Sequence, residues 1–216
     1  MSEQNENEVK QMNIGKEIWE WFYTIAIAVI IAALIKMFVF DVVRVDGLSM
    51  FPTLNDNDRL IVTKLGYTPH HGDIIILDSE YKNREAFYEE AALAEGKDEL
   101  SFFDKMFMDN PDALKKKYYV KRIIALPGET IDLQDGKVYI DGEELDEAYY
   151  DGDTVAIDPT VQYPLTVDED MVFVMGDNRM RSKDSRTAEL GQVPFDAILG
   201  KSQIRIWPLN AMSITR

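Results

Sequence analysis

Ser49 stands in the run Gly47-Leu48-Ser49-Met50-Phe51-Pro52-Thr53-Leu54, just after the membrane-length apolar segment of the chain. A serine hydroxyl is a weak nucleophile at neutral pH and needs a group to take its proton as it attacks. Histidine is the usual partner, but His70 and His71 are neighbours in a turn beside Pro69 and Gly72, where exposed loop residues are the ordinary reading. Lysine can replace histidine only as a neutral amine, so burial must pull its pKa down from about 10.4. Lys121, in Tyr118-Tyr119-Val120-Lys121-Arg122-Ile123-Ile124, sits where such burial is feasible. Strand alternation puts Tyr119, Lys121 and Ile123 on one face and Val120, Arg122 and Ile124 on the other. A third run, Gly176-Asp177-Asn178-Arg179-Met180-Arg181-Ser182-Lys183-Asp184-Ser185-Arg186, supplies groups that could hold that lysine. Each run also has a plainer explanation. Gly-x-Ser before proline is a common loop, a strand lysine can guard a sheet edge, and Gly-Asp-Asn is an ordinary tight turn.

These groups need a scaffold, and the chain provides two kinds of element for it. Trp21 to Phe40 is apolar on all faces and long enough to span a bilayer, which takes about 20 residues. Lys36, near one end, can reach the interface with its ammonium, and Trp19, Trp21 and Tyr23 suit headgroup depth. A cleavable leader would show a basic start, a shorter apolar run and small residues at its exit; Met37-Phe38-Val39-Phe40 is no such exit. From Asp41 onward, short β-branched or aromatic runs predict strands at Val42–Val45, Leu60–Lys64, Ile74–Leu77, Tyr118–Leu126, Lys137–Ile140, Val172–Met175 and Ser202–Trp207. Asp135-Gly136 predicts a hairpin joining Ile131–Leu133 to Lys137–Ile140. Residues 79–117 are charged and carry Phe102, Phe103, Met106 and Phe107 at mixed helical spacing, which predicts one or two helices inserted between strands.

The composition narrows the function classes. A chain of 216 residues, nearly half of them hydrophobic, suits one main globular domain with a sizeable core. A net charge of -16 with no long basic tract excludes general nucleic-acid binding. The absence of cysteine excludes disulfides, thiolate chemistry and cysteine-based metal sites.

Taken together the runs are specific. GLSMFPTL, YVKRIIALPGE and GDNRMRSKDSR, in this order after an N-terminal anchor and with GDIIIL at 72–77 between the first two, resemble the bacterial type I signal peptidases. The resemblance spans most of residues 43–207 and leaves out the first 20 residues and the insert at 79–117. It implies a mostly β, barrel-like catalytic domain, a coiled β-sheet with a helical insert, anchored by one N-terminal transmembrane helix. It implies Ser49 as nucleophile and Lys121 as general base, with Ser182 orienting the amine and Asp184 paired with Arg186 in support. Val45, Met50, Leu54, Tyr119 and Val120 are implied to line shallow pockets for small side chains. Where some family members carry a serine that assists the oxyanion hole, this chain has Gly47, as Gram-positive members do. The resemblance implies no cofactor and no metal. It implies signal peptides of exported preproteins as substrates and the lipid bilayer as partner. Residues 1–20 become a short cytoplasmic tail, 21–40 the membrane helix of a single-pass protein of the cytoplasmic membrane, and 41–216 the extracytoplasmic catalytic domain. A self-cleaving repressor of similar fold is disfavoured by the membrane helix. An inactive tethered binding module is disfavoured by the retention of Ser49, Lys121, Ser182 and Asp184.

Overall fold

The computed structural model describes residues 14–108, 111–115 and 117–215. Most of the tail expected at 1–20 lies outside them. The chain divides into two units, Met1–Phe40 and Asp41–Arg216.

The first unit carries helix α1, Ile14–Phe38. Its span Ile18–Lys36 has a mean hydropathy of 2.1, long and apolar enough to cross a membrane. The expected boundaries at Trp21 and Phe40 need correction. Hydropathy marks the stretch that suits lipid, whereas the helix starts earlier because nothing at Gly15-Lys16-Glu17 breaks it. At the other end, Phe40 already belongs to the first strand.

The described residues form twelve strands, all in the second unit except for Phe40, which opens the first of them. They are β1 Phe40–Arg44, β2 Arg59–Thr63, β3 Ile74–Asp78, β4 Tyr118–Ala125, β5 Thr130–Gln134, β6 Lys137–Ile140, β7 Glu143–Glu144, β8 Leu165–Thr166, β9 Met171–Met175, β10 Val193–Pro194, β11 Ile198–Trp207 and β12 Ser213–Ile214. The mostly β reading holds, and it takes the form of two antiparallel sheets. The larger has the order β1-β2-β11-β3-β4-β9-β10, with β12 also on β11; the smaller has the order β7-β6-β5-β8. The β5–β6 hairpin forms as expected, with Asp135 and Gly136 both at positive φ in its turn.

The apolar run of β3 is buried on both faces. Ile74 and Ile76 join Val45, Met50, Leu54, Leu60, Val62 and Val120 in one cluster. Ile75 and Leu77 join Ile123, Val172, Val174 and Val193 in another. A strand covered on both sides reads as a continuous hydrophobic stretch, which is what Ile74-Ile75-Ile76-Leu77 is. A third cluster, with Ile124, Ile131, Val138, Phe173 and Met175, joins the small sheet to the ends of β4 and β9.

The insert is helical. Helix α2 runs Tyr81–Ala94 and α3 runs Phe102–Phe107, the latter opened by a capping box between Ser101 and Asp104. Tyr81 is buried and its hydroxyl lies 2.5 Å from the Gln192 carbonyl oxygen, so α2 is pinned next to β10.

Candidate active site

Two layers of hydrogen bonding hold the loop of Ser49. Between β1 and β2, Val45 N–H donates to Asp58 O at 2.8 Å and Asn57 N–H to Val45 O at 2.9 Å, closing the ends of the loop. Inside it, Gly47 N–H donates to Asp56 Oδ1 at 2.9 Å, and Leu54 N–H to Met50 O at 2.9 Å. Met50 and Leu54 are each 1% exposed and anchor the loop in the core, while Leu48 and Phe51 point outward on either side of Ser49. Gly47 has φ of +93°, which disfavours any side chain.

The central strand β4 brings the amine. Lys121 pairs with Ile75 of β3, and Arg122 with Met175 of β9. Continuing that antiparallel register by one residue sets Gly176 across from Lys121. The Lys121 side chain is buried, with Nζ 2.9 Å from Ser49 Oγ and 3.0 Å from Val120 O, and 4.9 Å from the centre of the Tyr119 ring. Burial pushes the amine down from 10.5 to about 8, while the charges of Asp184 and Asp177 pull the other way. Two groups separated by 72 positions thus stand in hydrogen-bond contact, with the amine shielded from water.

The segment after β9 closes the site from the other side. Asn178 donates twice to the Ser49 loop, from its backbone N–H to Ser49 O at 3.0 Å and from Nδ2 to Leu48 O at 3.0 Å. Asp184 and Arg186 form the expected pair, both fully buried, with Nε–Oδ1 and Nη2–Oδ2 distances of 2.9 Å. Asp184 Oδ2 also accepts from Gly176 N–H at 3.1 Å, which ties the pair to the end of β9. One expectation is corrected. Ser182 is buried beside Gly176, but its Oγ has no hydrogen-bond partner among the described residues, so the bond expected from it to Lys121 is not formed here.

The residues expected to line pockets fall into two groups. Val45, Met50, Leu54 and Val120 share one buried apolar cluster beneath the Ser49 loop, so they form a floor rather than an open wall. Tyr119 is half-buried, packs on the neighbouring cluster and flanks the amine. The histidines are engaged elsewhere. His71 Nε2 is 2.8 Å from Glu129 Oε1 and its Nδ1 3.1 Å from Ile124 O, while His70 is mostly exposed.

Asp177, Asn178 and Arg179 can be read from the sequence as structural parts of the site, but sequence reasoning missed the buried ionic framework that Asp177 and Arg179 join through Arg122 and Glu147. Arg122, next to Lys121, donates to Asp177 through Nε at 2.8 Å and Nη2 at 2.7 Å. Arg179 is fully buried and pairs with Glu147 of the strap between β7 and β8. Arg122 could have been flagged as an arginine at an apolar position of a central strand; Glu147 carries no local signal at all.

The family model described as signal peptidase, peptidase S26, matches residues 18–207. The signal peptidase I of Bacillus licheniformis is 34% identical over 96% of this chain and 98% of that protein. The signal peptidase I of Leptolyngbya laminosa is 34% identical over 94% of this chain and 86% of that protein. A crystal structure of a signal peptidase I from Enterococcus faecalis is 28% identical, over 62% of this chain and 97% of that one, with a TM-score of 0.40. A match that runs from the apolar helix to the last long strand, and takes in every run that meets at Ser49, has one reading: this chain belongs to the signal peptidase family, peptidase S26.

Proposed function

We propose that this protein is a membrane-anchored serine endopeptidase that removes signal peptides from exported preproteins, with Ser49 as nucleophile and Lys121 as general base. The observation that carries the reading is the 2.9 Å approach of a buried Lys121 Nζ to Ser49 Oγ. As an ammonium, Nζ donates to Oγ. Once the amine is neutral, the same line lets Ser49 donate its proton to the nitrogen lone pair as Oγ attacks the scissile carbonyl. The protonated amine then delivers that proton to the leaving amine of the mature protein, which breaks the C–N bond and leaves an acyl-enzyme on Oγ. A water, deprotonated by the same amine, attacks the ester and frees the signal peptide.

Charge develops on the carbonyl oxygen at each attack. Because Gly47 offers no side chain for the purpose, stabilisation of that charge leans on the backbone N–H of Ser49, with a further backbone group or a water as second donor; one such donor contributes about 3 kcal/mol. The pocket floor of Val45, Met50, Leu54 and Val120, with Tyr119 at the side, favours small residues before the cut by sterics rather than charge. Helix α1 anchors the chain in the cytoplasmic membrane, with the residues before its apolar span Ile18–Lys36 on the cytoplasmic side and 41–216 as the extracytoplasmic catalytic domain. Asp184 and Arg186 support the site, and Ser182 orients the amine once substrate has docked.

The test is cleavage of a model preprotein by the detergent-solubilised full chain. Wild type is expected to cut after the signal peptide. Ser49→Ala and Lys121→Ala should each abolish cutting with the fold intact. Lys121→Arg should be inactive as well, since a guanidinium stays protonated. Full activity in any of the three would remove the dyad.

A further inference from the structure

The strap between β7 and β8 does more than cover the core. Glu147 accepts from Arg179 with both carboxylate oxygens, Oε2 from Nη1 at 3.1 Å and Oε1 from Nη2. Thr154 Oγ1 also accepts from Nη1, and the Tyr150 ring lies 4.7 Å from the guanidinium carbon. Tyr149 donates to Glu147 Oε1 at 2.8 Å, and its ring lies 3.9 Å from the guanidinium carbon of Arg122. One strap of eight residues, 147–154, therefore grips two of the three buried arginines around the site, Arg122 and Arg179.

Arg179 passes this grip on. Its Nε donates to Gly176 O at 3.1 Å, and its own carbonyl oxygen accepts from Arg186 Nη2 at 2.7 Å. Gly176 in turn lies against the Ser49 carbonyl and the Ser182 hydroxyl, with no room for a side chain. The shape of the site beside Ser49 thus depends on where Arg179 is held. Without Glu147, a fully buried guanidinium would lack its carboxylate and would turn toward water or toward Asp177.

We propose that Glu147 is a positioning residue of the peptidase site: through Arg179 it fixes the Gly176 carbonyl, and with it the wall that faces Ser49 and Ser182. The inference rests on the Ser49–Lys121 reading. Glu147 touches no reacting atom. It acts on turnover by setting the geometry that Gly176 and its neighbours present when substrate docks.

The experiment compares kcat, KM and folded fraction, by near-ultraviolet circular dichroism, for the solubilised full chain on one model preprotein. Glu147→Gln keeps the shape and removes the charge. It is expected to lower kcat by about ten-fold or more with KM within about two-fold, since small misplacements cost rate steeply. In an Arg179→Gln background the same substitution should change kcat by less than about two-fold, because the two act as one unit. A folded Glu147→Gln with wild-type kcat would overturn the proposal, as would an equal loss in both backgrounds. Should Glu147→Gln fail to fold, Tyr149→Phe and Thr154→Val each remove one partner of the same assembly without leaving a bare charge. A kcat reduced about three-fold in either would support the proposal, and wild-type kcat in both would sink it. Ser49→Ala and Lys121→Ala run alongside. If they are dead while Glu147→Gln is normal, only the positioning role fails; if either still cuts, the dyad itself fails.

Discussion

Gly176 lies so close to the carbonyl oxygen of Ser49 that a Cβ built on it would stand well inside the 3.0 Å that real Cβ atoms keep. The same Cβ would collide with Cβ and Oγ of Ser182. One hydrogen atom's worth of space at this position lets the end of β9, the Ser49 loop and the Ser182 segment meet around Lys121.

Gly176→Ala is therefore expected to damage turnover more than folding. The new methyl group meets backbone, which cannot rotate away, so the Ser49 loop or β9 must shift. Overpacking of this kind costs about 1–3 kcal/mol of stability. A displacement near 1 Å at the reacting atoms costs about a hundred-fold in rate. Cleavage kinetics on preprotein, with thermal melts of the same sample, check both parts.

The lowered Lys121 pKa sets a pH dependence with a definite sign. In the free protein kcat/KM should climb about ten-fold per pH unit below about 8 and level off above it, as the amine loses its proton. Stability follows the same group. The unfolded amine titrates near 10.5 and the folded one near 8, so between these values the unfolded chain binds more protons. Stability therefore rises with pH through that window, and below it burial of the charge is borne in full. Lys121→Met should be more stable than wild type at pH 7, by up to about 3 kcal/mol, with the gain gone above pH 10.5. Urea unfolding of both proteins at the two pH values tests this.

The sequence was most readable where a physical demand leaves a periodic or local mark. The strands β2, β3, β4, β6 and β9 stood out because they are covered on one or both faces and so carry runs of β-branched or aromatic residues. The β5–β6 hairpin stood out because Asp135-Gly136 suits its turn. By contrast β7, β8, β10 and β12 are two-residue strands, too short to show any period. The start of β11 was lost because Gly200 reads as a breaker, whereas it serves close packing: a Cβ there would strike the backbone of Thr63. Ser49 and Lys121 were legible only as members of a set of runs, since neither is distinctive by itself. Glu147 was not legible at all. Its partner Arg179 is 32 positions away, and nothing in an irregular strap encodes a buried pairing at that distance.

Ser182 gives a prediction that separates stability from function. Its hydroxyl is buried and has no hydrogen-bond partner among the described residues, and leaving such a group unsatisfied costs about 1–3 kcal/mol. Ser182→Ala removes the unsatisfied atom with little change in volume. The variant is expected to melt at the same temperature as wild type or higher. On the role proposed for Ser182 its kcat should nevertheless fall, because no hydroxyl is left to orient the Lys121 amine when substrate docks. Melting and turnover of one preparation check the pair of outcomes. A variant that loses neither activity nor stability would confine Ser182 to packing.

Asp177 sits at the point where the buried charges and the amine meet. Its carboxylate takes two hydrogen bonds from Arg122, and neither side chain is more than 2% exposed. Asp177→Asn keeps the outline and one acceptor oxygen but removes the carboxylate charge, so the Arg122 guanidinium is left with neutral partners, among them the Gly72 carbonyl at 2.8 Å and the Tyr149 ring. Removing one partner of a buried pair typically costs about 3–5 kcal/mol, so a large drop in urea midpoint is expected. The double variant Arg122→Met with Asp177→Leu should recover part of that loss, because it buries no charge at all. The effect on the dyad runs in a direction of its own. Asp177 holds the Lys121 amine up against the pull of burial, so its loss lets the amine fall further. The acid limb of the rate profile should then move to lower pH in the folded fraction of Asp177→Asn. A limb that moves up instead would mean that the carboxylate does not act on the amine as a neighbouring charge.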